Sequence, residues 1–177
     1  MGVSNELANM DAIALADLVR NKEVSPTELI EVAIDRIELL NPQLNAVIHK
    51  MYDQAHAVAG TWDSKTGSNR SNTVNFAGVP FLMKDFLAEY KDAPFNEGSR
   101  AVKDYVSKVD SEIVSRQKDS GLIILSKTNT SEFGLLPFTE PELFGIRHKG
   151  RNSLLGYQPG GSIPPVGTSC KNNRQAA

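Results

Sequence analysis

Apolar residues recur at helical spacing through the first 60 residues of the chain. The clearest boundary is Ser25, an N-cap residue that precedes Pro26 at the first helical position and Glu28 in a capping-box arrangement. Apolar positions then repeat every three to four residues until Asn41-Pro42, where the residue before proline disfavours helix. The pattern predicts three helices, over residues 10–20, 26–41 and 46–59.

Beyond a polar stretch, the apolar pattern changes from helical spacing to short continuous runs. Residues 60–75 are rich in Ser, Thr, Asn and Gly and are predicted to form a surface loop. Residues 79–83 predict a short buried strand, and residues 122–125 predict a strand that is covered on both faces. A helix capped at Asp110 or Ser111 lies between them. Strand, helix and strand in this order favour a crossover with parallel strands, and hence an α/β fold.

Composition is that of an ordinary soluble domain, with 40% hydrophobic and 23% charged residues in a chain of 177. The net charge of −2 gives no reason to expect nucleic acid or an anionic membrane as a partner. Cys170 is the single cysteine, so no internal disulfide forms. The sequence shows no signal peptide and no run near the roughly 18 apolar residues of a membrane span, so we expect a cytoplasmic protein.

The charge balance changes near residue 143. Residues 1–142 hold 14 Lys and Arg and all 21 Asp and Glu, whereas residues 143–177 hold 5 Lys and Arg and no acidic residue. The sequence therefore predicts one unit over residues 1–145 and a divergent Gly/Pro/Ser-rich basic tail over residues 146–177. Three interpretations of the tail stay open: a disordered end, a segment that binds an acidic partner, and a segment translated out of frame or belonging to a truncated gene.

Four segments are more specific than the periodicity. They are GVPFLMKDF at residues 78–86, Glu97-Gly98-Ser99, DSGLIILSKTNTSEFG at 119–134 and TEPELFG at 139–145. In this order and at these separations they resemble the amidase signature family, and the opening helices, with SPTELIEVAIDRIELLNPQLNAV, match that family's usual beginning. The resemblance covers roughly residues 10–145. It implies the N-terminal helices and part of the mixed β-sheet of an amidase-signature fold, which is incomplete here.

The resemblance also implies a reaction. In the family a serine attacks an amide carbonyl, and a second serine, on a cis peptide bond, relays the proton to a lysine. By position Lys84 matches that lysine. The match is chemically sensible, because a serine needs a base and a lysine becomes one only where burial disfavours its ammonium form and lowers its pKa. The alternative is a lysine that extends from a strand end to solvent.

Neighbouring residues receive supporting roles. We expect Asp85 to be a structural ion-pair or hydrogen-bond partner, and Lys127 to lie on the surface. Thr128 and Asn129 are expected to hydrogen-bond the loops around the site, with capping or turn roles as the alternative.

Ser162 is the second candidate catalytic residue, in the stretch PGGSI. By distance from Lys84 it corresponds to the relay serine, but Ile163 follows where the family has another serine, and GGSI also resembles the start of the nucleophile's own stretch. Ser162 is therefore the relay serine, the nucleophile, or part of a glycine-rich turn without a catalytic role. On either catalytic assignment we expect one of the family's two serine stretches to be missing.

No metal or organic cofactor is implied. The three histidines, His49, His56 and His148, show no metal-ligand spacing, and we expect them on the surface. The sequence thus predicts an amidase acting on a small-molecule amide by a Ser-cisSer-Lys mechanism, present as a truncated chain that lacks the nucleophile. TEPELFG points to the branch that acts on cyclic amide oligomers. The alternative is a catalytically inactive fragment with at most a binding role. The oligomeric state is left open.

Overall fold

The computed structural model describes residues 7, 10–65 and 74–145 of the chain. Four α-helices and three β-strands form in this described part. The helices are α1 (Ala12–Arg20), α2 (Pro26–Leu44), α3 (Tyr52–Lys65) and α4 (Glu112–Asp119), and the strands are β1 (Val47–Lys50), β2 (Pro80–Lys84) and β3 (Ile123–Thr128). Short 3-10 helices cover Arg100–Val102 and Glu132–Gly134.

The strands form one mixed sheet in the order β1-β3-β2. Strand β2 runs parallel to β3, with α4 in the crossover between them, and β1 pairs with β3 in the antiparallel sense. Every residue of β3 is buried, as the prediction of a strand covered on both faces requires. The predicted α/β class, with N-terminal helices and a piece of a mixed sheet, is confirmed.

Local capping explains where the first two helices begin. The Asp11 carboxylate accepts from two backbone amides at the start of α1. At the start of α2, Glu28 N–H donates to Ser25 Oγ at 3.1 Å, and Ser25 N–H donates back to the Glu28 carboxylate at 2.8 Å. This is the predicted capping box, and it satisfies donors that the first helical turn leaves open.

Helix α2 does not end at Asn41-Pro42 as predicted, but continues with Pro42 inside it to Leu44. Asn45 then ends the helix in the left-handed region, with φ of 48°. The side chain of Asn41 accepts from the backbone amides of Ala46 and Val47 at 2.9 and 2.8 Å. These bonds join the helix end directly to β1, so tertiary context outweighs the local bias of the residue before proline.

The predicted helix over residues 46–59 is wrong in its first part. Residues 47–50 form β1, and helix α3 begins at Tyr52 and extends to Lys65, into the predicted loop. Val47 pairs with Thr128 on β3, and the Met51 amide donates to the Leu125 carbonyl at 2.9 Å. Pairing with a strand about 80 residues away is a contact that a local pattern cannot report.

Helices cover one face of the sheet, and α4 with the segment around residues 88–93 covers the other. The largest buried cluster joins α2 and α3 to Leu82, Ile123 and Leu125 of the sheet. On the opposite face, Val114 of α4 packs with Met83 and Ile124. A third cluster packs α1 against the start of α2 and against Val79. The carboxyl end of β2 and the segment after β3 lie beyond these apolar layers.

Candidate active site

Lys84 is the last residue of β2 and lies in register with Thr128, the last residue of β3. Because parallel strands end at the same side of a sheet, these two residues mark a common carboxyl edge. Lys84 is half-buried, and its Nζ lies 5.7 Å from the centroid of the Phe86 ring. The predicted lysine therefore lies at an edge of the sheet where ligands of α/β proteins commonly bind.

Lys127 is fully buried, so the prediction that it lies on the surface is wrong. Its Nζ donates to Asp85 Oδ1 at 3.1 Å and to the Pro94 carbonyl at 2.7 Å, and lies 4.8 Å from the centroid of the Phe95 ring. Burial lowers the pKa of Lys127, and the Asp85 carboxylate opposes that shift. Asp85 is the structural partner that the sequence predicts.

The carboxylate of Asp85 also holds a turn. Its Oδ2 accepts from the backbone amides of Asn96 and Glu97, each at 3.1 Å. Gly98, with φ of 68°, lies so close to the segment after β3 that an added Cβ would be 2.9 Å from the Thr130 carbonyl oxygen. Ser99 Oγ donates to the Glu132 carboxylate at 2.7 Å. The turn at Glu97-Gly98-Ser99 thus packs directly against the sheet edge.

His49 belongs to this network, contrary to the prediction of a surface histidine. It is half-buried on β1, and its Nε2 lies 2.6 Å from Asn96 Oδ1. Since the Asn96 amide nitrogen donates to the carbonyls of Val102 and Lys103, its Oδ1 is the acceptor and His49 Nε2 is the donor. Burial lowers the pKa of His49, while the nearby Asp85 charge raises it in part.

A continuous polar segment, residues 126–131, is buried at the end of β3. Asn129 donates to the carbonyls of Asn45 and Gly145, which confirms its predicted role in holding the surrounding loops. The hydroxyls of Thr128 and Thr130 have no hydrogen-bond partner among the described residues. Because a buried hydroxyl without a partner is costly, these two groups are available to a ligand or to another part of the protein.

The remaining candidate residues are placed as follows. His56 lies on the surface as predicted, 3.6 Å from the Glu31 carboxylate. Ser162, His148 and Cys170 fall outside the described residues, as does the predicted tail over residues 146–177. Within the described part of the chain, no group of three or more His, Cys, Asp or Glu side chains could hold a metal ion. None of the helices in this part has an apolar stretch that could span a membrane.

Solved structures that share this fold include a cyclic dimer hydrolase and an aryl acylamidase. The structure of 6-aminohexanoate cyclic dimer hydrolase complexed with substrate matches with a TM-score of 0.69 and 34% identity, over 78% of this chain and 27% of that one. A bacterial aryl acylamidase of the amidase signature enzymes matches with a TM-score of 0.69 and 31% identity, over 77% of this chain and 28% of that one. The fold is that of the amidase-signature class.

A family model described as Amidase matches residues 28–162, well over half of the chain. This chain belongs to the amidase family, as its four motifs predict. The match includes Ser162 and so extends beyond residue 145, the limit of the predicted first unit.

Two curated proteins also resemble this chain over most of its length. The 6-aminohexanoate-cyclic-dimer hydrolase of Paenarthrobacter ureafaciens is 37% identical over 155 residues, which is 86% of this chain and 29% of that protein. A glutamyl-tRNA(Gln) amidotransferase subunit from Corynebacterium glutamicum (strain R) is 30% identical over 147 residues, or 83% of this chain and 29% of that protein. The chain thus spans less than a third of the length of these relatives.

Proposed function

We propose that this chain is part of an amidase that hydrolyses a carbon–nitrogen amide bond by a Ser-cisSer-Lys mechanism, with Lys84 as the base. The observation that supports this most is the position of Lys84 at the carboxyl edge of a parallel strand pair, in a chain of the amidase family. Two buried hydroxyls without a described partner lie at the same edge. They are polar groups that a substrate or a serine-bearing segment would satisfy.

In the proposed reaction the amine of Lys84 accepts a proton that the relay serine has taken from the nucleophilic serine. The serine oxygen attacks the amide carbonyl, the carbon–nitrogen bond breaks, and the amine leaves with a proton. Water then cleaves the acyl-serine to give the acid and to restore the hydroxyl. Ser162 is one of the two serines. Its distance along the chain from Lys84 favours the relay role, and its GGSI context favours the nucleophile.

For the substrate we propose a small cyclic amide oligomer of the 6-aminohexanoate cyclic dimer class. The support is the 37% identity to a hydrolase named for that compound and the 34% identity to a solved hydrolase of the same name. We also propose a cytoplasmic location, because a single cysteine in 177 residues is typical of a protein from a reducing compartment. None of the proposed steps uses a metal or an organic cofactor.

A second candidate function is binding without catalysis. It is supported by exposed apolar side chains on the N-terminal helices, such as Ile13 and Leu39. Under this alternative Lys84 keeps its place in the fold but takes no part in a reaction. The N-terminal helices would then be the part that contacts another protein.

The test is release of free amine from 6-aminohexanoate cyclic dimer by the purified 177-residue chain. We expect Lys84→Ala to abolish turnover and Lys91→Ala, a change at an exposed lysine, to leave it intact. A serine-reactive fluorophosphonate assigns Ser162: covalent labelling that Ser162→Ala removes indicates the nucleophile, and labelling of another serine indicates the relay role. A chain that unfolds cooperatively but releases no amine would support the binding alternative.

A further inference from the structure

A buried pair of opposite charges lies beside the proposed base. Lys127 and Asp85 are both 0% exposed, although charged side chains are rarely buried completely. Lys127 lies at the centre of the sheet, in register with His49 of β1 and Met83 of β2. The pair therefore lies inside the protein where β2 and β3 end and β1 begins, and it is distinct from the amine of Lys84.

The contacts of the pair satisfy both charges. Lys127 Nζ donates to Asp85 and Pro94 and faces the Phe95 ring. The second oxygen of Asp85 accepts from two backbone amides, those of Asn96 and Glu97. The Asp85 carboxylate therefore connects Lys127, on the central strand β3, to the turn at residues 96–99.

The backbone of Asp85 is fixed as well. Its amide donates to the Thr128 carbonyl at 3.1 Å, which continues the pairing of β2 with β3 by one residue. Side chains of an extended chain alternate between the two faces of a sheet. Asp85 shares its face with Met83 and Lys127, so Lys84 projects from the opposite face, in register with Thr128.

The turn is held from its other side by the segment after β3. The Phe133 amide donates to the Glu97 carbonyl at 2.8 Å, and the Leu87 amide donates to the Glu97 carboxylate at 3.2 Å. Asn96 connects the same turn to His49. The Asp85 carboxylate is therefore a contact that joins this turn to the end of β2 and to Lys127.

The energetics of buried ion pairs indicate what Lys127 and Asp85 contribute to the protein. A buried ion pair rarely stabilises a fold more than apolar side chains of similar volume would, because both charges lose their hydration. An apolar pair, however, cannot accept hydrogen bonds from two backbone amides. What Asp85 and Lys127 contribute beyond an apolar pair is therefore the orientation of the two backbone amides that bond the carboxylate.

We propose that Lys127 and Asp85 are positioning residues, which hold the Asn96–Ser99 turn against the sheet edge and thereby set the direction in which Lys84 projects. The first part concerns the fold alone. The second part, the effect on Lys84 chemistry, rests on the proposed function.

The experiment compares Lys127→Met with the double variant Asp85→Leu/Lys127→Met in the full chain. Lys127→Met leaves a buried carboxylate without its cation, so we expect the folding equilibrium constant to fall by about 100-fold or more. The double variant removes both charges and should recover most of that loss. Backbone amide exchange at Asn96 and Glu97 should nevertheless remain at least about tenfold faster than in the parent chain, because their acceptor is gone.

Lys118→Met is the matched control, since it removes a lysine from a partly exposed ion pair with Asp110. We expect parent exchange rates at Asn96 and Glu97 in this variant. If the double variant keeps parent protection at these two amides, the pair does not hold the turn and the proposal is wrong. Should the double variant fail to fold, Asp85→Ala/Lys127→Leu, which removes the same acceptor with a smaller side chain at position 85, decides by the same exchange measurement.

Amide turnover separates this proposal from the proposed function. If the parent chain hydrolyses an amide, we expect the folded double variant to lose at least about tenfold in kcat with little change in KM, because the base is misplaced while the residues that bind the substrate are unchanged. An unchanged kcat would overturn the link to Lys84. If the parent chain hydrolyses nothing, the proposed function fails and the link falls with it, while the exchange arm still decides whether the pair holds the turn.

Discussion

The helical layer and the carboxyl edge of the sheet are held by different kinds of contact. At the start of α2, Ser25 and Glu28 bond each other across three positions of the chain. At the edge, Asp85 bonds Asn96 across 11 positions and Lys127 across 42, and Asn129 bonds Asn45 across 84. The helix start is thus specified by adjacent residues, whereas the edge exists only after remote segments have met.

The same substitution at two glycines should separate the regions most strongly. Gly98 lies at the edge, where φ is 68° and a Cβ would meet the Thr130 carbonyl at 2.9 Å, whereas Gly60 lies in exposed helix with nothing within 4 Å of a Cβ. We expect Gly98→Ala to lower the free energy of unfolding by about 2–4 kcal/mol, through left-handed strain and overpacking. Gly60→Ala should raise it by about 0.5–1 kcal/mol, because alanine is the better helix former. Urea denaturation of both variants measures the difference.

Changes of opposite sign in the free energy of unfolding for Gly98→Ala and Gly60→Ala would confirm the difference between the regions. The edge, and not the helical layer, would then depend on the close approach of segments that are distant in sequence. Equal effects would mean that the turn tolerates a side chain and that its contact with the segment after β3 is loose.

Ser25→Ala should have a smaller effect, confined to the helix start. The variant removes the acceptor of the Glu28 amide at 3.1 Å, and we expect it to cost about 1 kcal/mol of unfolding free energy. Thermal unfolding gives the total, and amide exchange in the first turn of α2 shows where the loss occurs. Ser25→Asp, which keeps a capping oxygen, is the control and should stay near the parent value. Faster exchange at Asn96 in Ser25→Ala would contradict the separation of the two regions.

The smallest predicted effect is a pH dependence of the same cap. Hydrogen bonds from the Ser25 backbone and then its hydroxyl lower the pKa of Glu28 below its ordinary value of 4.5, against a slight opposing effect of burial. A carboxyl group with a lowered pKa in the folded state contributes stability above its unfolded pKa and loses it as the pH falls through the folded value. The stability difference between the parent chain and Glu28→Gln should therefore shrink from pH 6 to pH 3. A difference that stays constant over this range would show that the charge of Glu28 does not matter.

The difference between local and long-range contacts also explains which elements can be predicted from the sequence. The start of α2, the short strand β2 and the parallel crossover follow from a cap, apolar runs and their order, all of which are local. The local pattern predicts helix where strand β1 forms, because the pairing partner of β1, strand β3, lies about 80 residues further along the chain. It also predicts that α2 ends before Pro42, because the bonds of Asn41 to the start of β1 are not visible in a periodic pattern.

At the site, the family motif predicts that Lys84 is the base, and in the structure Lys84 lies at the carboxyl edge of the sheet. The sequence predicts a surface position for Lys127 because lysine usually lies there. The available signal is its place in an otherwise apolar and small polar strand, IILSKT, parallel to a strand that is followed directly by Asp85. Opposite charges at the ends of two parallel strands should meet, and this rule would have found the pair. The involvement of His49 has no such signal, because it depends on β1 being a strand.

The central place of β3 has a consequence for how the chain acquires its fold. Among the described residues the two outer strands, β1 and β2, do not pair with each other, and each pairs with β3, the last of the three in sequence. During synthesis from the N-terminus, α1 and α2 can form early, but the sheet cannot begin until residues 123–128 have left the ribosome. Until then β1 and β2 are exposed strands without their partner, so the helical layer must shield their apolar side chains while the ribosome completes the strand that joins them.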